Sequence, residues 1–340
     1  MSVRATVFAA LALLLPPTLH AQAPTPVRSL GLGEEAVPQV ECCQTLLLPV
    51  GARLVALGQA LGSRSTPDAV FSNPAGLATL EERHLVLHTA ELPGGEADAG
   101  TQTLAATLIL TPRDIGALGF TYRLLDFGSQ PCLDETGANV GALTIRYHVL
   151  LGSFATRVGG GLRAGLNYKL YTERFGLSGR CPGNDLSART QGLDLGVQYT
   201  PPALPDLALG VALTDLGFAL QTLNAEQSDP LPLRLHLAGS YELLHHFTSD
   251  TSSAGWISVE AAIPPPERGL LELSVGAELA FQDMVFLRGG WVSGEGLGTG
   301  PALGLGVRYR NFTVSVARTF QASPLAGEDP PLDLSLGVQF

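Results

Sequence analysis

Residues able to do chemistry are plentiful in this sequence, but their spacing selects little of it. Serine, histidine and aspartate all occur, yet no GxSxG, HExxH, GxxxxGK(S/T) or strand-to-helix GxGxxG stretch holds a nucleophile, a metal or a phosphate in place. No spacing singles out a catalytic triad either. The expectation is a protein that is not an enzyme and carries no cofactor. Cysteine and histidine lack the CxxC or HxxxH spacing of a metal site, so no metal is expected, and His245-His246 reads as a solvated turn. The informative chemistry lies in charges planted at mid-strand: Arg123, Arg146, Arg163, Lys169, Glu260, Glu278, Arg288 and Arg308. Such a charge needs water or a partner, so the elements that carry it must be two-faced.

Those elements read as β-strands. From residue 83 onward the chain falls into segments of about ten residues with period-two alternation. In "LRAGLNYKLY" one face carries Leu162, Ala164, Leu166, Tyr168 and Leu170, while Arg163, Gly165, Asn167 and Lys169 share the other. The split recurs in "LDLGVQY", "LRLHLAG", "LELSVGAEL", "LGLGVRY" and the terminal "LDLSLGVQF". About fourteen such segments occupy residues 83–340, an even count that suits an outer-membrane barrel. Tight links such as "TPRD", "RVGG", "QD" and "RN" alternate with longer ones such as "GSQPCLDETGAN", "GLSGRCPGND", "LGFALQTLNAEQSDP" and "QASPLAGEDPP". Short periplasmic turns and long external loops alternate in this way. One link, "HHFTSDTSS", falls on the short side and is longer than the pattern expects.

The two ends agree with export. "MSVRATVFAALALLLPPTLHAQA" has an early cation, an apolar run from Val7 to Leu15 and a small-x-small site, so residues 1–23 read as a signal peptide. That run is far shorter than the roughly 20 residues of a spanning helix. The composition of the full chain, with 40 Gly, 45% hydrophobic and 15% charged residues, suggests many short strands. A net charge of −11 gives no basic stripe for a nucleic acid. At the other end Phe340 closes an alternating strand and resembles the C-terminal aromatic signature read by the barrel assembly machinery. A soluble sandwich or propeller would also alternate, but leader and terminal Phe together favour a barrel in the outer membrane of a Gram-negative bacterium, with lipid around it. Tyr122, Tyr147, Tyr168, Tyr199, Tyr241, Trp291, Tyr309 and Phe312 fall on lipid-facing registers, a thin aromatic belt.

Ahead of the strands, "GARLVALGQALGSRSTPDAVFSNPAGLATLEERHLVL" carries a small-residue segment with Gly51, Ala52, Arg53, Leu57, Gly58 and Ala60, then Asp68-Ala69, then the knot Asn73, Pro74, Ala75, Gly76 and Leu77. With "GLNYKLY", "GLDLGVQY", "LALGVALTDLGFAL", "PLPLRLHLAGSYEL" and "LRGGW" following in order, the chain resembles PorV/PorQ-type proteins, which belong with the FadL-type outer-membrane transport proteins. The resemblance implies an all-β fold: a 14-stranded antiparallel transmembrane β-barrel with an N-terminal lumenal plug, or hatch, containing short helices. The division is then 1–23 leader, 24–50 periplasmic linker or extension, 51–82 plug with the NPAG motif, and 83–340 barrel. The residues fit that division. Leu54, Leu57 and Leu61 have helical spacing, Asn73-Pro74 favours a turn, and polar loops at membrane depth are tolerated only inside protein or a wet cavity. The plainer reading is that NPAG is an ordinary turn.

The candidate site is therefore the knot, Asn73, Pro74, Ala75 and Gly76, with Arg123, Arg163, Lys169, Glu278 and Arg308 as lumenal wall partners. The alternative is that these charges pair with one another and fix the barrel's shape. Four cysteines in an exported chain leave three pairings open. Under the barrel topology Cys132 and Cys181 lie on neighbouring external loops, so a bridge between them is expected, leaving Cys42 and Cys43 as a vicinal pair or free thiols. What the resemblance implies about function is a hatch-gated conduit for a hydrophobic ligand or, alternatively, a type IX-like secretion accessory that binds and shuttles secreted protein cargo. A purely structural outer-membrane component is the third reading.

Overall fold

The computed structural model describes residues 41–92, 101–112, 115–221, 228–247, 252–266, 269–293, 299–320 and 331–340. The leader, residues 24–40 of the expected linker and parts of several long loops lie outside the described residues.

Every strand of the barrel pairs antiparallel with its chain neighbour until the ring closes. On the first half are β1 (His84–Leu92), β2 (Thr101–Leu110), β3 (Ala117–Leu133), β4 (Asn139–Gly159), β5 (Leu162–Gly179), β6 (Leu186–Tyr199) and β7 (Leu207–Gly217). A two-stranded hairpin, β8 (Leu220–Gln221) with β9 (Ser228–Asp229), interrupts the sequence without joining the ring. The second half comprises β10 (Arg234–Glu242), β11 (Ser253–Ile263), β12 (Glu272–Phe281), β13 (Val285–Ser293), β14 (Gly300–Tyr309), β15 (Phe312–Thr319) and β16 (Leu332–Gln339). β7 pairs with β10, and β16 pairs back onto β1, giving a closed ring of 14 strands. Closure satisfies the backbone of both terminal strands, which a bilayer demands because it offers no water to an open edge. The last residue takes part: Phe340 and Arg83 exchange backbone hydrogen bonds of 3.0 and 3.2 Å. No helix of the described residues is long and apolar enough to cross a membrane.

Alternation sets which way each side chain points. Along β6, Leu193, Leu195, Val197 and Tyr199 are exposed on the outer face, while Thr190, Asp194 and Gln198 are buried inside. β5 does the same, with Leu166, Tyr168 and Leu170 outside and Asn167 buried. An apolar outside and a polar inside is the inverse of a soluble protein, and it is what a strand between lipid and a filled lumen needs. Trp291 and Tyr309 stand on the outer face. Tyr147 does not. It points inward, against Tyr171 and Phe127 at ring separations of 6.0 and 5.2 Å. The reason is local: β4 is apolar on both faces here, with Val149 and Leu151 buried inside and Leu150 exposed outside, so hydrophobicity did not mark the lipid side.

The strands come out longer than their alternation. β3, β4 and β5 run to 17, 21 and 18 residues, well beyond the roughly 9–11 that cross a bilayer. About half of the expected loop "GSQPCLDETGAN" and the start of "GLSGRCPGND" are therefore strand beyond the length a bilayer takes, with Ser129, Gln130 and Pro131 exposed in succession. Cys132 and Cys181 are joined in a disulfide across this extension, and Cys42 is joined to Cys43. At the β3–β4 tip the Asp134 carboxylate accepts hydrogen bonds from Thr136 and from the Ala138 N–H, which hold its pKa below the ordinary range.

Candidate functional site

The N-terminal segment fills the lumen. It begins near the long-loop end, where Glu41 receives a two-pronged hydrogen bond from Arg234 at 2.9 and 2.8 Å, and where the Cys42 N–H donates to the Pro230 carbonyl. Residues 41–50 thus lie inside the barrel, where the sequence reading grouped them with a periplasmic linker or N-terminal extension. Cys43 packs in an apolar cluster with Val149, Leu151, Tyr171, Leu220 and Leu231, and Cys42 and Leu46 lean on it. The Thr45 hydroxyl meets the Tyr171 hydroxyl at 3.1 Å. This inward-facing apolar patch is why Tyr147 turns in rather than out.

From there the chain descends through one helical turn, α1 (Ala52–Ala56), and two short 3-10 turns at Pro67–Phe71 and Pro74–Thr79. α1 is too short to be stable alone; its Ala52, Val55 and Ala56 are buried with Ala317 of β15. Its first N–H, at Ala52, donates to the Ser335 hydroxyl of β16 at 2.8 Å, and the same hydroxyl lies 2.8 Å from His88 Nδ1. His88 Nε2 faces Asp68 of the plug at 3.5 Å.

The NPAG knot sits deep inside. Asn73 is the cap of the second 3-10 turn: its Oδ1 accepts the Ala75 N–H at 3.1 Å, and Pro74 takes the first position, where no N–H is needed. Its amide nitrogen shares two hydrogens among the carbonyls of Gly62, Val197 and Val211, at 2.8, 3.1 and 3.2 Å. One side chain therefore holds the plug to itself and to β6 and β7. Gln198, also fully buried, donates to the carbonyls of Gly62 and Arg64. The knot can come this close only because the wall lacks side chains opposite it. A Cβ on Gly196 would stand 2.1 Å from Asn73 Oδ1, and one on Gly165 would stand 2.4 Å from the Ala75 nitrogen. Part of the chain's glycine content is thus a seat for the plug.

Three charged groups complete the attachment. Glu278 of β12 accepts from Arg53 at 2.6 Å, from Arg64 at 3.1 Å and from its wall neighbour Arg288 at 2.6 Å. Arg64 also lies flat on Trp256, 3.8 Å from the ring centre. Glu260 of β11 receives the backbone N–H groups of Leu61 and Gly62 on one oxygen, at 3.0 and 2.8 Å, and faces His236 with the other. Lys169 pairs with Asp194 and Asp215 at 2.8 and 2.6 Å, and Asn167 links Asp194 to the Val70 carbonyl of the plug. Asp215 can turn inward because β7 carries a register shift opposite Asp194 and places it at φ 60°.

The wall residues named from the sequence thus divide. Glu278 grips the plug directly, and Arg163 does so through Ser65 at 2.8 Å. Lys169 pairs within the wall. Arg308 pairs with Asp283 in the β12–β13 turn at 2.5 Å, away from the knot. Arg123 is buried in the lumen, and its Nη2 makes no hydrogen bond among the described residues. Sequence reasoning put Asp194, Gln198 and Arg234 on the polar faces of their strands but left them, with Glu41 and Asp215, out of the candidate site, because their partners depend on strand register and on the path of the plug.

Between plug and wall, a cavity of about 80 Å³ lies below the Cys43 cluster. Leu46, Leu47, Leu48, Leu54 and Phe71 supply its apolar side, and Lys169, Asp215, His236 and Glu260 its polar side. A second, of about 90 Å³, lies near the short-turn end beside Arg53, His84 and Arg288.

No protein-family profile and no curated protein matches the chain. Solved structures do. A structure described as the CymD monoaromatic hydrocarbon channel aligns at 14% identity over 86% of this chain and 97% of its own, with a TM-score of 0.60. The Ralstonia pickettii toluene transporter TbuX aligns at 13% identity over 85% and 98%, TM-score 0.57, and a Pseudomonas aeruginosa FadL homologue at 14% over 86% and 98%, TM-score 0.55. The likeness is to FadL-type barrels and lends nothing to the narrower PorV/PorQ assignment. At these identities it is a likeness of fold, and the chain has the fold of the FadL-type outer-membrane transporters: a closed 14-stranded antiparallel barrel.

Proposed function

We propose that this protein is an outer-membrane conduit for small hydrophobic molecules, loaded at the cavity between Leu46–Leu48 and the wall. The observation that carries the reading is that cavity's position: an apolar lining on the plug, opposite a polar stretch of wall and next to the apolar cluster at the long-loop end. Pockets that take small ligands pair apolar contact with polar groups that fix orientation; here the wall side supplies Lys169, Asp215, Arg234, His236, Glu260 and Glu272. Barrels of the same fold described as hydrocarbon channels and toluene transporters support the substrate class.

Size sets a condition on the mechanism. An apolar cavity that holds benzene measures roughly 150 Å³, about twice the space present here. Loading therefore requires Leu46–Pro49 to yield. Straight passage through the plug would break the Glu278, Glu260 and Asn73 attachments together, so a bound molecule leaves only if the plug shifts or the wall opens beside it. The plug's grip makes it the gate.

Native mass spectrometry with lipid extraction, on barrel purified in mild detergent, tests this reading. A small hydrophobic molecule retained by the native protein and lost when Asn73 and Pro74 are replaced by alanine supports it. A co-purifying polypeptide with no small ligand would instead favour secreted protein cargo, a reading that the matched structures do not support.

A further inference from the structure

The link between β10 and β11 is the one on the short-turn side that runs long, and it carries His245-His246 in a 3-10 turn, Leu244–His246. The fold brings these rings to Asp206, the residue just before β7. Asp206 is held there by its own carbonyl, which accepts the Glu242 N–H at 3.0 Å across the β7–β10 seam. Both histidines aim Nε2 at the same carboxylate oxygen: His245 Nε2 and His246 Nε2 each stand 3.3 Å from Asp206 Oδ2. The ring centres are 4.1 Å apart, and the three side chains are partly open to solvent.

That spacing is long for a charge-assisted hydrogen bond, which closes to about 2.7–2.9 Å. It matches the edge of a tetrahedron, since ligands bound at about 2.1 Å around one ion stand roughly 3.4 Å apart. Imidazole nitrogen and carboxylate oxygen are the donors zinc accepts. Behind the cluster, Glu242 Oε1 lies 3.7 Å from His245 Nδ1, beyond hydrogen-bond reach but on the side where a ligating ring commonly carries an outer carboxylate. The Tyr241 hydroxyl, 3.0 Å from His246 Nε2, is the partner that ring would exchange for an ion.

We propose that Asp206, His245 and His246 form a site for a divalent transition metal of zinc's coordination class, which staples the β6–β7 turn to the β10–β11 turn at the short-turn rim. The excess length of the β10–β11 link is then explained, since a tight hairpin could not carry two adjacent rings over to Asp206. Water completes the coordination, as three protein ligands leave a position open.

The test uses tag-free barrel in detergent, stripped with EDTA and titrated with zinc ion against a chromogenic chelator. The native protein should bind one zinc per barrel, with affinity falling at least tenfold in Asp206→Asn and in the double variant His245→Ala, His246→Ala. Folding is checked for each by the migration of unheated protein on a gel; the double variant changes only partly exposed turn residues, so it keeps the test open should Asp206→Asn misfold. Equal zinc binding in native and folded variant protein, or none above chelator background in the native protein, would overturn the proposal.

Discussion

Arg53 on α1 and Glu278 on β12 meet at 2.6 Å inside the lumen, and Glu278 is nearly inaccessible to solvent. The plug is therefore anchored by a buried carboxylate shared with two further arginines, Arg64 and Arg288. Removing one partner of a buried pair is far more damaging than a surface deletion, because the remaining charge loses its compensation. Glu278→Ala should cost about 3–5 kcal/mol, read as a lower urea midpoint in detergent. It should also raise ion leak through the barrel in planar bilayers, since the plug loses its hold. A folded variant with native stability and native leak would show that Glu278 is not an anchor.

Asn73 predicts a different pattern. Asn73→Ala removes a helix cap, worth about 0.5–2 kcal/mol, and takes one donor from each of the carbonyls of Val197, Val211 and Gly62, of which Gly62 keeps Gln198; a buried polar group left without a partner costs roughly 1–3 kcal/mol. Gly196→Ala keeps every hydrogen-bonding group but drives a methyl into Asn73 Oδ1. Both variants should loosen the plug and expose residues 51–82 to limited proteolysis while the strands persist. Protection equal to native in either variant would reduce NPAG to an ordinary turn.

The strands and their faces were legible because lipid imposes a strong rule: outward residues along the middle of the strands are mostly apolar, so period two survives along the chain. Leu166, Tyr168 and Leu170 against Asn167 and Lys169 came out as read. The rule fails where the lumen is apolar too, as at Tyr147, or where a strand leaves the bilayer and the lipid constraint lapses, as beyond Asp126 on β3. Legible charges did not disclose their partners. Lys169 finds Asp215 only because β7 shifts register opposite Asp194, and Glu41 finds Arg234 only because residues 41–50 enter the lumen. His245-His246 reads as a solvated turn and lies in one, and no spacing along the chain could bring it to Asp206, which comes from a different turn.

The cavity offers a test by filling. Leu47→Trp adds an indole beside Leu46 and Phe71, where about 80 Å³ is open, and overpacking of this sort costs about 1–3 kcal/mol. Binding of a small hydrophobic probe such as toluene should fall at least tenfold, with the barrel still folded. Undiminished binding would place the ligand elsewhere, with the 90 Å³ space near Arg288 as the next candidate.

The extension of β3–β5 runs past the roughly 9–11 residues that a bilayer crossing takes, so its order has to come from something other than the membrane. Cys132 on β3 pairs in register with Gly141 on β4, which pairs in turn with Gly179 on β5. The disulfide from Cys132 to Cys181 passes over Gly141, where a Cβ would stand 2.9 Å from the Cys181 sulfur and 2.0 Å from the Ser178 carbonyl. A crosslink of this kind stabilises by about 2–4 kcal/mol, chiefly by restricting the open chain. Here the gain is local, because the membrane-spanning parts of the same strands are held by the closed ring. Cys132→Ser with Cys181→Ser should therefore leave the global unfolding midpoint nearly unchanged while speeding protease cleavage and amide exchange within 128–145 and 175–187. Gly141→Ala should do the same with both cysteines in place, by forcing the crossing strands apart. If the double variant instead lowers the midpoint of the whole barrel, the extension and the spanning ring unfold as one unit, and the disulfide stabilises both.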